Sequence, residues 1–301
     1  MTLHAPCSML HASRSAAALL REGARRLCEG GVEPARREAE WLLGHLLDQQ
    51  PAALYLHEAP IPEEVVAKFQ ESIAARALGM PLQYLIGEAE FFGEPFLVAP
   101  GVFIPRPETE AVVEAALRHL GARHARLGRP LRLLDAGTGS GCIAITLARA
   151  LAPCVVVGVE VSWDALEVAR ANVTRHGLAE RVHLVRGRWL EPFACGSVFD
   201  GVIANPPYVP TAHVNQLPLD VRREPRISLD GGTDGMQPLR TLLDDIPRVL
   251  APGGLLALEC GEEHVEPLCE LARAGGWARE VLPLRDLADR PRGVLMSRHG
   301  G

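Results

Sequence analysis

Between residues 131 and 260 the chain alternates short apolar runs with helical stretches, and that alternation restricts its fold more than any other feature. The runs at 131–136, 155–160, 182–186, 198–204 and 254–260 have the length and composition of buried strands. Helical periodicity fills the intervals at 142–151, 164–176 and 237–250. Strands joined through helices lie parallel, because tight turns connect only antiparallel neighbours, and a parallel sheet needs both of its faces covered. The pattern predicts an α/β fold built on a doubly wound, Rossmann-like sheet. Two more runs, at 277–284 and 293–298, are expected to close it with an antiparallel edge.

Residues 1–79 show helical periodicity only. Gly30-Gly31 ends one helix, Pro34 opens a second and Pro62 a third. Trp41, Leu42, Leu46, Val65, Val66, Phe69 and Ile73 recur at helical spacing and are expected to form the core of a small bundle. The aromatic stretch from Phe91 to Phe96, broken by Gly93 and Pro95, reads as a hairpin. The expected organisation is a helical domain at 1–79, a hairpin linker at 80–103 and the sheet domain at 104–301. Ile104 to Glu110 is a stiff, Pro-rich segment feeding a helix whose early acidic residues suit its positive N-terminus. Asn205 to Gly235 is a long polar loop, of a length that usually serves a function.

Composition narrows the chemistry. At 301 residues and 48% hydrophobic content the chain can bury one large core and a smaller one. A net charge of -6 argues against a broad nucleic-acid-binding surface. Lys68 is the sole lysine, which excludes a P-loop or Schiff-base lysine from the sheet domain. Cys7, Cys28, Cys142, Cys154, Cys195, Cys260 and Cys269 show neither C-x-x-C pairing nor zinc-finger spacing with histidine, so free thiols in a reducing cytosol and no bound metal are expected. Ala16 to Leu20 is too short for a signal peptide and is followed by Arg21 and Glu22. No apolar stretch approaches the roughly 20 residues needed to cross a bilayer, so a cytoplasmic protein with no membrane partner is expected.

Two segments sit at predicted strand ends, where open α/β sheets bind ligands. The first, Asp135-Ala136-Gly137-Thr138-Gly139-Ser140-Gly141, lets a ligand approach the backbone at a helix N-terminus. A dinucleotide fingerprint would place its third glycine where Cys142 stands, so a nicotinamide oxidoreductase fits poorly. Glu160 ends the next strand, where a carboxylate can accept from both hydroxyls of a ribose, and together the two features point to a nucleoside ligand. The second segment is Asn205-Pro206-Pro207-Tyr208. Two prolines cannot donate ladder hydrogen bonds, so the strand stops there and leaves Asn205 at its carboxyl end. Taken alone, the segment is a Pro-rich turn with a capping Asn. In this setting the Asn205 side-chain oxygen and the Pro206 carbonyl can accept both hydrogens of a planar NH2 group, with Tyr208 against its flat face.

The glycine turn and Glu160 resemble S-adenosylmethionine-dependent methyltransferases, and Asn205 to Tyr208 resembles the branch that methylates planar NH2 nitrogens of adenine or glutamine. Pro81 to Gly87, Phe91 to Phe96, Ile104 to Glu110, Val221 to Pro225 and Gly231 to Gly235 are similar to the release-factor glutamine methyltransferase family (HemK/PrmC), over nearly the whole chain.

The resemblance implies methyl transfer from S-adenosylmethionine to the side-chain nitrogen of the glutamine in the Gly-Gly-Gln loop of class-one peptide-chain release factors, with the helical domain recognising the substrate. It assigns Asp135, Gly137, Thr138, Gly139, Ser140, Gly141, Glu160, Trp189 and Asn205 to the cofactor, and Asn205, Pro206, Pro207 and Tyr208 to catalysis. Trp189 also fits an ordinary core aromatic. Arg188 departs from the family, which often has an acidic residue there, and this puts an acidic contact to the adenine amino group in doubt. His213 and His264 are expected in ordinary surface or core roles. The alternatives are an adenine-N6 methyltransferase acting on nucleic acid, which would need a basic and aromatic recognition surface, and a noncatalytic cofactor-binding scaffold, which would not need an amide clamp. No direct nucleic-acid substrate is expected.

Overall fold

The computed structural model describes residues 15–196 and 198–300; Cys7 lies outside them. The chain divides into two compact units, one running to Ile86 and the other beginning at Gly87.

The first unit contains α1 (Ala16–Glu29), α2 (Ala35–Leu47), a 3₁₀ turn at Pro51–Leu56, α3 (Glu63–Ala77) and the short α4 (Leu82–Ile86). The Ser15 hydroxyl accepts from the Ala18 amide at the start of α1, and Gly30 ends that helix. Leu19, Leu27, Leu42, Leu43, Phe69 and Ile73 are buried together, and Leu46, Val65 and Val66 pack against them. Trp41 departs from the expected core: it is 39% exposed and lies under the Arg37 guanidinium. The buried face of α2 follows Glu38, Ala39, Leu42 and Leu43, and Trp41 is turned about 100° away from Leu42. Glu38 is buried because Arg76 reaches it with Nε at 2.5 Å and Nη2 at 3.1 Å.

The second unit opens with the hairpin of β1 (Glu88–Phe91) and β2 (Glu94–Leu97). Its two turn residues, Phe92 and Gly93, both have positive φ (52° and 72°), the hand that matches the twist of paired strands. After it come α5 (Pro107–Leu127), β3 (Leu131–Ala136), α6 (Cys142–Ala150), β4 (Cys154–Glu160), α7 (Trp163–Arg175), β5 (Val182–Arg186) and β6 (Phe199–Ala204). The chain continues through α8 (Thr211–Val214), α9 (Gln237–Asp245), β7 (Leu250–Glu259), α10 (Val265–Ala274), β8 (Ala278–Arg285) and β9 (Pro291–Arg298). The helix expected at 237–250 ends earlier, at Asp245: Pro247 lacks an amide proton, so Ile246–Arg248 forms a 3₁₀ turn and β7 begins at Leu250.

The seven strands lie in the order β5-β4-β3-β6-β7-β9-β8. β3 to β7 are parallel; β9 runs antiparallel to both β7 and β8, so both closing strands belong to the antiparallel edge. The chain moves outward from β3 to β5 and then returns to pair β6 with the other side of β3. That reversal opens a crevice above the carboxyl ends of β3 and β6, where Asp135 pairs with Ile203. Alternate residues serve opposite faces. Leu133, Ile203 and Ala257 pack with α5 and α6, whereas Leu134, Val202 and Leu256 pack with α9 and α10. At the opposite end of the sheet buried Asp200 accepts from Arg123 at 3.2 Å, from Arg129 at 2.8 Å and from the Arg132 amide at 3.0 Å. No helix among the described residues is long and apolar enough to cross a membrane.

Candidate active site

A cavity of about 540 Å³ opens at this crevice. Gly137, Thr138, Gly139 and Ser140 line it from the end of β3, Glu160 from β4, Arg188 and Trp189 from the end of β5, and Asn205 and Pro207 from the end of β6. Gly137 to Ser140 of the first motif thus share one space with Asn205 and Pro207 of the second, whereas Pro206 and Tyr208 are not part of its lining.

The glycine turn is held from below. Gly137 and Thr138 both donate to the Val159 carbonyl, at 2.8 and 2.9 Å. Asp135 is fully buried, and its Oδ2 accepts from the Thr138 hydroxyl at 2.5 Å and from the Ala144 amide at 3.1 Å. Burial pushes the Asp135 carboxyl up to about 7, against the pull of those two donors. Gly137 has φ +85°, and a Cβ there would stand 2.9 Å from the Trp189 ring, so only glycine fits. Gly141 caps α6 and faces Ala169, and neither it nor Asp135 lines the cavity.

Glu160 is half-buried, with both oxygens engaged by the backbone: Oε2 accepts from Gly139 at 3.0 Å, and Oε1 from Val161 at 2.8 Å and Ser162 at 2.9 Å. Asn172 of α7 supports the turn from outside. Its side-chain amide donates to the Ser140 carbonyl at 2.8 Å and to Leu97 O at 3.0 Å, and its oxygen accepts from Leu97 N at 2.8 Å. Ser140 Oγ and Trp189 Nε1, from residues that line the cavity, are buried without hydrogen-bond partners among the described residues. Polar atoms left this way call for a ligand that supplies donors and acceptors. Cys142, Ile143, Val159 and Val161 add apolar walls. A nucleoside with a charged amino-acid tail suits that mixture, so the residues present fit S-adenosylmethionine.

On the β6 side, Asn205 donates from Nδ2 to the Thr109 hydroxyl at 3.1 Å, which leaves its side-chain oxygen for the cavity. Tyr208 is turned inward, and its hydroxyl donates to Glu259 Oε1 at 3.2 Å. Burial raises its phenol well above the ordinary range. Glu259 is 1% exposed, and burial pushes it up to about 7, with Thr109 and Tyr208 favouring the ionised form. Gly235 has φ +75°, and a Cβ there would strike the Tyr208 carbonyl at 2.3 Å and the His264 ring at 2.7 Å. His264 is buried and donates from Nε2 to the Asp234 carbonyl at 3.0 Å, the expected structural use.

The loop after β6 is shorter in effect than its sequence suggests. Val209 bridges Asp230, and 3₁₀ turns form at Val221–Arg223 and Arg226–Ser228. Buried Glu224 accepts from the Ile104 amide at 3.0 Å and pairs with Arg106, so the Val221 to Pro225 and Ile104 to Glu110 segments meet in space. Phe103, Arg226 and Ile227 consequently join the cavity. Thr109 and Glu259 were not individually signalled by the sequence; the one available cue was a lone carboxylate ending an apolar strand.

Comparison with known proteins matches residues 18–87 to a family described as PrmC N-terminal domain and residues 128–281 to one described as methyltransferase domain. The release factor glutamine methyltransferase of Moorella thermoacetica is 44% identical over 280 residues, which cover 93% of this chain and 97% of that one. That of Geobacter sulfurreducens is 45% identical over 242 residues, covering 80% and 82%. Among solved structures, the N-terminal domain of human METTL16 in complex with SAH superposes with a TM-score of 0.50 at 19% identity, covering 77% of this chain and 84% of that one, a likeness of fold.

Proposed function

The chain belongs to the release factor glutamine methyltransferase family, and from that premise we propose that it methylates the side-chain nitrogen of the glutamine in the Gly-Gly-Gln loop of class-one release factors, in the cytoplasm. It is an S-adenosylmethionine-dependent protein-glutamine methyltransferase. The observation that carries the finer reading is the orientation of Asn205: Nδ2 is taken by Thr109, so the side-chain oxygen is the atom presented to an incoming NH2.

An amide nitrogen is a weak nucleophile because its lone pair is shared with the carbonyl. Asn205 Oδ1 and the Pro206 carbonyl accept one hydrogen each, hold the NH2 in place and raise electron density on nitrogen as positive charge develops there. Tyr208 is held by Glu259 and confines the plane of the amide. Pro207 fixes the turn so that these groups converge. Bound S-adenosylmethionine supplies an electrophilic sulfonium methyl. The glycine turn, Glu160 and Trp189 hold the nucleoside portion, and Asp135 keeps the turn in shape from beneath. The nitrogen–carbon bond forms as the sulfonium–carbon bond breaks, its electron pair staying on sulfur, and the cationic, strongly acidic nitrogen then gives its proton to water, so no strong base is required at the site.

Incubation with methyl-labelled S-adenosylmethionine, an intact release factor and, separately, nucleic acid tests this assignment. Label on the Gly-Gly-Gln glutamine alone is the expected result; label on adenine would replace it with nucleic-acid methylation.

A further inference from the structure

A carboxamide can present either its oxygen or its NH2 to the cavity, and the two orientations differ by a half-turn of one torsion. Only the oxygen can accept from a substrate NH2, so something on the far side of Asn205 must choose. The partner there is Thr109, 3% exposed, whose hydroxyl lies 3.1 Å from Asn205 Nδ2. A hydroxyl both donates and accepts, so Thr109 by itself leaves the choice open. Glu259, on β7 and 1% exposed, lies close enough to Thr109 for that side chain to favour its ionised form. Its Oε1 already accepts from Tyr208 at 3.2 Å, and its Oε2 is buried with no hydrogen-bond partner among the described residues. An ionised carboxylate is an acceptor only. It draws the Thr109 proton toward itself, and Thr109 then offers Asn205 nothing but lone pairs.

We propose that Thr109 and Glu259 are positioning residues: with the acceptor-only carboxylate at its base, the chain Glu259–Thr109–Asn205 polarises in one direction and locks the Asn205 oxygen toward the substrate, while the same carboxylate anchors Tyr208. This rests on the amide-methylating role of Asn205. It adds that the orientation of Asn205 is set by two residues that need not touch the substrate. Burial raises Glu259 to about 7, while Thr109 and Tyr208 favour the ionised form, and it is that ionised form that sets the direction of the chain.

The test uses the full-length protein. Thr109→Val keeps the shape of the side chain and removes the hydroxyl; it should lower kcat on an intact release factor by about tenfold or more, the order expected from losing one hydrogen bond at a buried polar site. KM for the factor, the dissociation constant for S-adenosylhomocysteine and Tm should stay near wild type. Thr109→Ser should restore most of kcat. Glu259→Gln, which replaces an acceptor-only end with one that can donate, should lower kcat several-fold with the same unchanged affinities. In the absence of any substrate, the side-chain NH2 signals of Asn205, assigned by their loss in Asn205→Asp, should be protected from solvent exchange in the wild type and lose protection in Thr109→Val. A wild type that does not methylate the release factor would remove the substrate assignment, and the Asn205 signals would then decide the locking by themselves. Wild-type kcat together with unchanged Asn205 protection in Thr109→Val would overturn the proposal.

Discussion

The amide of Gly139 donates to Glu160 Oε2 at 3.0 Å, so the carboxylate assigned to a ribose also shapes the glycine turn that faces it. The glycine turn and the acidic strand end, both proposed to face the cofactor, are therefore joined across the β3 and β4 strand ends.

Glu160→Gln should weaken S-adenosylhomocysteine binding by roughly 10- to 100-fold, because a hydrogen bond to a charged group is worth about 1.5 to 3 kcal/mol. Glu160→Ala should lose more, since it also releases the backbone amides of Gly139, Val161 and Ser162. Isothermal titration measures both. Equal affinity in all three proteins would take Glu160 out of the site.

Asn205→Ala should behave in the opposite way. Removing one preorganised polar group from an active site typically costs on the order of a hundredfold in turnover. Affinity for S-adenosylhomocysteine should change by no more than a few-fold. Single-turnover methylation of an intact release factor separates the two effects, and a binding defect with normal turnover would contradict the assigned role.

Glu259 links stability to pH. Its carboxyl rises from the ordinary 4.5 to about 7 through burial; Thr109, Tyr208 and Arg292 oppose that rise, and Glu108 adds to it. Because the folded value lies above the unfolded one, the stabilisation is complete below about pH 4.5 and is lost as pH climbs to about 7. The loss is on the order of 3 kcal/mol at 1.36 kcal/mol per unit. Denaturant unfolding of wild type and Glu259→Gln across that window should therefore give a difference that shrinks in favour of the variant as pH rises. A difference that does not vary with pH would show that Glu259 does not titrate there.

Asp200→Ala should destabilise the second unit by about 1 to 3 kcal/mol, because it removes a buried acceptor from Arg123, Arg129 and the Arg132 amide, while the two arginines keep partial contact with water. The ion pairs lie at the sheet end opposite the cavity, so S-adenosylhomocysteine affinity of the folded protein should be unchanged. Chemical denaturation together with titration checks both halves.

A short Gly-Gly-Gln peptide should be a much poorer substrate than the intact release factor, in kcat as well as KM, if contacts remote from the amide orient it. Replacing the substrate glutamine by asparagine should nearly abolish transfer, since it withdraws the nitrogen by about one methylene from the line of attack. Mass spectrometry of the modified loop reads both, and equal rates for peptide and factor would show that the cavity alone selects the substrate.

The parallel sheet, the glycine turn, the acidic strand end and the Asn-Pro-Pro-Tyr stop were legible in the sequence because each is a local property. Alternating periodicity makes strands and helices, consecutive prolines end a strand, and positive-φ glycines make a tight turn before a helix. Those rules also place Glu160 and Asn205 at carboxyl ends, and doubly wound sheets bind ligands there. Other features depended on the assembled chain. Trp41 has the spacing of a core residue, yet the buried stripe of α2 runs one position away from it. The helix from Gln237 stops at Asp245 because of Pro247, a punctuation that periodicity alone passes over. The support behind the amide clamp was not visible at all: Thr109 lies 96 positions from Asn205, and Glu259 lies 51 from Tyr208. These contacts exist only because β6 pairs with β3 on one side and β7 on the other while α5 packs across that face, bringing its N-terminus beside the ends of β6 and β7. Strand order and register are settled by the burial of the whole sheet, and no short stretch of sequence carries them.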